Sequence, residues 1–189
     1  NQKKAEALAS HAVREAMARA IDKTRLAREA ALGNGDPLDS PFPFLSQSVK
    51  EDNEPLHVKT LFNLEESRAR LARAGLNDDD GNGVRERMGK DGKKTITKRL
   101  EFILTTSDWP DLVRSAELIK SMWGEIGIAV TIEKKSFAEL ESAHIRPRNF
   151  QILLFGQVYG YEPDPFAFWH SSQVRDPGLN ITNYTDAKA

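Results

Sequence analysis

Residues 100–135 read LEFILTTSDWPDLVRSAELIKSMWGEIGIAVTIEKK, and the change of period within them sets the fold class. Leu100 to Thr105 is a short, mostly apolar run that predicts a strand. Over residues 109–126, Leu112, Ala116, Ile119, Trp123 and Ile126 recur on one helical face, and Gly127 stands where a helix stop belongs. Ile128, Val130 and Ile132 then alternate with Ala129, Thr131 and Glu133, which is the period of a strand. Strand, helix, strand is a crossover unit, and it requires parallel strands joined by a right-handed connection.

Downstream, a shorter helix near 136–145 leads to a strand at 151–156. Its Ile152-Leu153-Leu154-Phe155 run is apolar on both faces, which predicts a central place in the sheet. The three parallel strands then end on one edge, at residues 105–109, 134–137 and 157–161. In open α/β sheets, ligands sit outside the carboxyl ends of the strands, so that edge is the expected binding face. Residues 151–172 read QILLFGQVYGYEPDPFAFWHSS, a strand spilling into an aromatic, acidic, proline-stiffened loop of the kind that presents a small-molecule surface. Tyr159 and Tyr161 lie at the strand end, where an amphipathic ring can stack on a ligand and hydrogen-bond it. Phe168 and Trp169 read as core anchors of a short helix begun by the Pro163-Asp164-Pro165 turn.

Upstream, residues 5–21 carry Leu8, Ala12, Val13, Ala16, Met17, Ala20 and Ile21 at helical spacing, an amphipathic helix. Asp22 caps a second helix ending near Leu32 and Gly33. Asn63 and Glu66 make a capping-box-like start for a helix over 64–74, with Gly75 as its left-handed cap. Residues 33–60 and 77–99 lack periodicity and read as long surface loops.

Length and composition narrow the function. The 189 residues are 39% hydrophobic and 29% charged, enough for one well-cored unit or one lobe of a larger protein. A net charge of −1, with both signs interleaved, argues against a nucleic-acid or anionic-membrane surface. The absence of cysteine excludes disulfides and thiol catalysis. Asn1 opens the sequence without a signal-like segment, and Ala189 comes just after an apparent lead-in to another element; together they predict an excised piece of a longer protein.

Enzyme motifs are scarce: there is no nucleophile elbow, no P-loop and no glycine-rich dinucleotide turn after a strand. His11, His57, His144 and His170 share no ligand-like spacing, and His170 reads as a packed, hydrogen-bonded histidine. Asp78-Asp79-Asp80-Gly81-Asn82-Gly83 matches the first half of an EF-hand-type loop, with Asp78, Asp80 and Asn82 at ligand positions. Gly89 stands where the bidentate glutamate belongs, so affinity should be poor, and a tight polar turn is the simpler reading. The sequons Asn180-Ile181-Thr182 and Asn183-Tyr184-Thr185 read as marks of a surface turn.

Four segments in order carry a family resemblance. Residues 13–23, VREAMARAIDK, look like "VRxAxxxAIDR/K"; residues 71–76 followed by 80–85 resemble "LLxEAGYxDxDGDGxR". Residues 116–128 are similar to "AxxIQxxLxxIGI". Leu154-Phe155-Gly156, Pro163-Asp164-Pro165, His170-Ser171-Ser172 and Asn183-Tyr184 look like "LxGW…PDP…HSS…NY". The chain thus resembles the extracytoplasmic solute-binding proteins of ABC importers, in the oligopeptide/dipeptide/nickel-binding family (family 5). The resemblance implies an α/β, periplasmic-binding-protein-like (type II) lobe with a mixed sheet, parallel βαβ crossovers and flanking helices. Residues 1–189 would be a single carboxy-terminal ligand-binding lobe of a two-lobed clamshell.

The implied function is capture of a peptide or similar polar solute for an ABC permease, outside the cytoplasmic membrane, as a periplasmic protein or lipoprotein. The implied protein is a monomer with no cofactor, no resident metal and no catalytic residues. The alternatives are a sensing module built on the same clamshell and, further off, a hydrolase. The implied ligand-binding residues are Gln157, Tyr159, Tyr161, Glu162 and Asp164. Gln157 stands where peptide-binding members have a Trp, and Gly160 where they have the Asp that pairs with the peptide amino terminus; Glu162 or Asp164 is the substitute for that carboxylate.

Overall fold

A computed structural model describes residues 6–38, 61–91, 94–158 and 165–185. A 3-10 turn, Glu6–Ala9, precedes helices α1 (His11–Arg19), α2 (Lys23–Glu29) and α3 (Leu64–Arg73). Strands β1 (Glu86–Asp91), β2 (Lys94–Arg99) and β3 (Glu101–Ser107) come next, then α4 (Pro110–Gly124) and β4 (Ala129–Lys135). Helix α5 (Phe137–Glu139) continues as a π-helical stretch, Leu140–Ile145, before β5 (Ile152–Leu154) and α6 (Pro165–Trp169).

The crossover predicted from residues 100–135 is present. Strand β3 pairs in parallel with β4 from Glu101↔Ala129 to Ser107↔Lys135, and in parallel with β5 from Leu104↔Ile152 to Thr106↔Leu154. The order is β4-β3-β5, so β3 is central and β5 lies at an edge among the described residues. This corrects the central place expected for residues 151–156. All three β5 residues are only half-buried, so their two-faced apolarity reflects partial cover on each side. Phe102 and Leu104 to Ser107 of β3 are buried instead.

One core joins the sheet to three helices. Val13, Ala16, Met17 and Ala20 of α1 meet Leu71 of α3, Ala116, Ile119 and Trp123 of α4, and Phe102, Leu104 and Val130 of the sheet. Trp123 Nε1 donates to the Met17 carbonyl at 2.9 Å, satisfying the indole N–H where it is buried. The expected helix over 5–21 is broken at Ser10, which is extended and leads into α1; the Arg14 guanidinium donates to the Leu8 and Ala9 carbonyls at 2.8 Å. The expected caps form: Asp22 Oδ1 accepts from the Arg25 N–H at 3.0 Å, and Asn63 Oδ1 from that of Glu66 at 2.8 Å. Gly75 has φ +72, and the Leu76 N–H donates to the Leu71 carbonyl, closing α3 as its sequence predicts.

Residues 77–99 are not all loop. β1 and β2 form an antiparallel hairpin from Glu86↔Arg99 to Asp91↔Lys94, a two-stranded sheet separate from the parallel one. Their residues are mostly polar, and Met88 is exposed, so the apolar alternation that marks a half-buried strand is missing from the sequence here. Residues 39–60 of the other expected loop lie outside the described residues.

Arg85 fastens the amino end of the parallel sheet. Its N–H donates to the Gly127 carbonyl at 2.8 Å, Nε to that of Ile126 at 3.0 Å and Nη1 to that of Leu76 at 2.8 Å. Gly127 sits at φ +80, and a Cβ there would lie 2.7 Å from Arg85 Cγ, so the turn before β4 needs glycine for both backbone and space. Asn180 organises the last described segment, donating to the carbonyls of Trp169, His170 and Tyr184 at 3.0–3.3 Å. It is fully buried, which corrects the surface placement of the first sequon. Phe168 and Trp169 are half-buried rather than core.

Candidate functional site

The parallel register places the three strand ends side by side. Ser107 of β3 is opposite Lys135 of β4, and Thr106 is opposite Leu154 of β5. The polar groups leading to this edge are largely fixed. Thr106 Oγ1 donates to the Leu154 carbonyl at 2.9 Å, the Asp108 N–H to that of Lys135 at 2.9 Å, and the Trp109 N–H to Ser107 Oγ at 3.3 Å. Thr105, Thr106 and Ser107 are buried, so the floor is polar and uncharged.

Immediately beyond that floor the side chains become large, apolar and exposed. Trp109 is 72% exposed and Phe137 61%, although each lies just past a strand and begins a helix. Phe137 stacks on Phe155, with ring centroids 6.2 Å apart and planes at 26°, bridging the exits of β4 and β5. Val158 is nearly fully exposed. Aromatic faces left in water around a polar floor are a stacking platform for a ligand or a partner surface.

The charge on this edge is compensated locally. Lys135 Nζ lies 2.9 Å from Glu139, whose hydrogen bond holds the ammonium above its ordinary value, and Lys134 lies 3.8 Å from Glu117. Asp108 is exposed. A shallow groove of about 370 Å³ lies between Leu26 of α2, Ala31 just beyond that helix, and Asp111, Leu112 and Ser115 on the first turns of α4.

Of the site residues expected from sequence, Gln157 is exposed just past β5, on the expected edge. Tyr159, Tyr161, Glu162 and Asp164 lie outside the described residues. Trp109, Phe137 and Phe155 stand at or beside the strand ends in the sequence, yet their residue types alone assign them no role there. The signal that marks them is position: each is an aromatic one or two residues beyond a strand. His170 is hydrogen-bonded and stacked as expected, though exposed: its Nδ1 lies 2.8 Å from Ser172 Oγ, and its ring stacks on Phe166 at 4.5 Å. His144 is buried with Nδ1 2.9 Å from the Asn149 carbonyl oxygen, a structural contact.

The family model for bacterial extracellular solute-binding proteins, family 5, middle region, matches residues 1–177. The chain belongs to this family. It is 27% identical over 179 residues to the oligopeptide-binding protein AppA of Bacillus subtilis, covering 94% of this chain and 31% of that protein. The solved structure of AppA in complex with a nonapeptide superposes with a TM-score of 0.78 at 26% identity, covering 97% of this chain and 34% of that one. The fold is shared with NikZ from Campylobacter jejuni, solved with Ni(L-His): TM-score 0.74, 23% identity, covering 97% of this chain and 34% of that one. A periplasmic oligopeptide-binding protein from Thermotoga maritima, solved with bound mannohexaose, gives a TM-score of 0.73 at 16% identity, covering 96% and 34%. The chain therefore spans about a third of the length of the relatives it matches. No helix among the described residues is long and apolar enough to cross a membrane.

Proposed function

We propose that this chain is the carboxy-terminal cleft wall of a two-lobed extracytoplasmic protein that captures a peptide or similar polar solute and hands it to an ABC permease. The observation that carries this reading is the strand-end edge: a buried Thr105-Thr106-Ser107 floor surrounded by exposed Trp109, Phe137 and Phe155. A protein rarely leaves three large aromatics on one edge of its sheet without a partner to cover them. Family membership makes a solute the natural occupant. The ligands bound in the relatives' structures, a nonapeptide, a nickel–histidine complex and mannohexaose, are all polar molecules with surfaces an aromatic can stack on.

The edge binds without converting. Gln157 stands at the Trp position of peptide-binding members and Gly160 at their Asp position, so a carboxylate for a free peptide amine would have to come from Glu162 or Asp164. Permease delivery, extracytoplasmic location and a monomeric state accompany the family reading. Native mass spectrometry of the intact protein tests the proposal. A co-purifying polar solute, or a nonapeptide bound when added, is expected. Ligand-free spectra against peptides, metal–amino-acid complexes and oligosaccharides alike would overturn it.

A further inference from the structure

We propose that residues 78–86 bind a hard divalent cation of the calcium class between Asp78, Asp80 and Glu86. This site is separate from the solute edge, near the opposite end of the parallel sheet where Arg85 is fastened, and it stands or falls independently of the solute reading. The half-loop starting at Asp78 lacks a glutamate at its twelfth place, where Gly89 stands. The fold supplies another carboxylate. Counting Asp78 as one, Glu86 is nine, the place that often reaches the ion through water in such loops.

The three carboxylates each put an oxygen within 4.8 Å of the others. Glu86 is only 3% exposed, and its Oε2 finds no hydrogen-bond donor among the described residues. Its Oε1 accepts from the Asp79 N–H at 2.9 Å, inside the turn. The Glu86 backbone exchanges both hydrogen bonds with Asn77, at 2.7 and 3.2 Å, so the residue is anchored beneath the loop. A buried carboxylate with an unmatched oxygen, facing two more carboxylates, is costly unless a cation arrives.

Arg99 supplies the charge hydrogen-bonded within the cluster, with Nη2 2.7 Å from Asp80 Oδ2. Three carboxylates against one guanidinium leave two negative charges, the complement of a divalent ion. The donors are all oxygen, which disfavours softer transition metals. Calcium fits better than magnesium, because the loop offers an irregular set that backbone carbonyl and water can complete, while magnesium demands near-ideal octahedral geometry. Without the twelfth-place glutamate the site is weak, with a dissociation constant of about 10⁻⁴–10⁻³ M, the range of extracellular modules.

Calorimetric titration of the chelator-treated intact protein with calcium chloride, followed by thermal melts, decides it. Saturable heat in that concentration range is expected, with a melting temperature about 1 °C higher at tenfold the dissociation constant. Asp78→Asn and Glu86→Gln should each weaken calcium binding at least about tenfold, the cost of a lost charged ligand. Glu86→Gln keeps the acceptor for Asp79. Arg99→Gln changes an exposed side chain that competes for Asp80, and it should tighten calcium binding severalfold. No saturable heat with folded protein would overturn the proposal. So would a thermal shift reproduced by sodium chloride at matched ionic strength, or binding that Asp78→Asn and Arg99→Gln leave unchanged.

Discussion

The two ends of the parallel sheet are built on opposite principles. At the amino end, Leu100, Ile126 and Ile128 are buried and Arg85 closes the backbone with three hydrogen bonds. At the carboxyl end the strands finish in a buried hydroxyl floor and then release Trp109, Phe137 and Phe155 into solvent. The same three strands run through both. The difference lies in the residues that flank them: a packed turn at one end, exposed aromatics at the other. Stability is concentrated at the closed end and in the core behind it, which leaves the open end free to be shaped for binding.

The contrast breaks most severely in the core shared by both ends. Leu104→Ala removes a side chain 1% exposed from the central strand, and it should cost about 2–5 kcal/mol, read as a lower urea midpoint. Gly127→Ala attacks the closed end. The positive φ and the collision with Arg85 Cγ should together cost about 1–3 kcal/mol, while solute affinity of the surviving folded fraction stays within about twofold. Trp109→Ala attacks the open end. With the ring largely in water, stability should move by about 0.5 kcal/mol or less, whereas solute affinity should fall severalfold by calorimetry.

The smallest effect is electrostatic and belongs to neither end. Glu15 on α1 accepts from Arg19 and lies 2.8 Å from Arg70 Nη1 of α3; the Arg19 hydrogen bond, with help from Arg70, holds its carboxyl below the ordinary 4.5. A carboxyl depressed in the folded state stabilises above its unfolded value and loses that contribution as pH falls through the folded value. Melts should therefore lose a small increment on acidification below about pH 4.5, and Glu15→Gln should flatten that limb.

The elements with a buried stripe can be read directly from the residues. Ala116, Ile119 and Trp123 reveal α4, and the Val130/Ile132 alternation reveals β4, because burial leaves a period. The β1–β2 hairpin is mostly polar in sequence and shows no such period, and its strands pair through the backbone with Met88 in water. The position of β5 is ambiguous in sequence, because apolar residues on both faces fit an edge strand with partial cover as well as a central one. The binding edge is legible from strand polarity alone. The positions of Trp109 and Phe137 on that edge are legible too, but their exposure and the Phe137–Phe155 stack are not, because an aromatic in sequence looks the same whether it packs in the core or stands in water. Glu86 is hidden for a related reason: its burial and its nearness to Asp78 and Asp80 arise from the bridge to Asn77.

The most direct test combines two readouts on the intact protein carrying Phe137→Ala and Phe155→Ala together. The account predicts that affinity for the co-purifying solute falls about tenfold or more, while the melting temperature changes by no more than about 2–4 °C, because Phe137 is largely in water and neither ring belongs to the core cluster. Unchanged solute affinity, or a collapse in melting temperature that accounts for the whole loss, would contradict the claim that the open end of the sheet is built for binding and the closed end for stability.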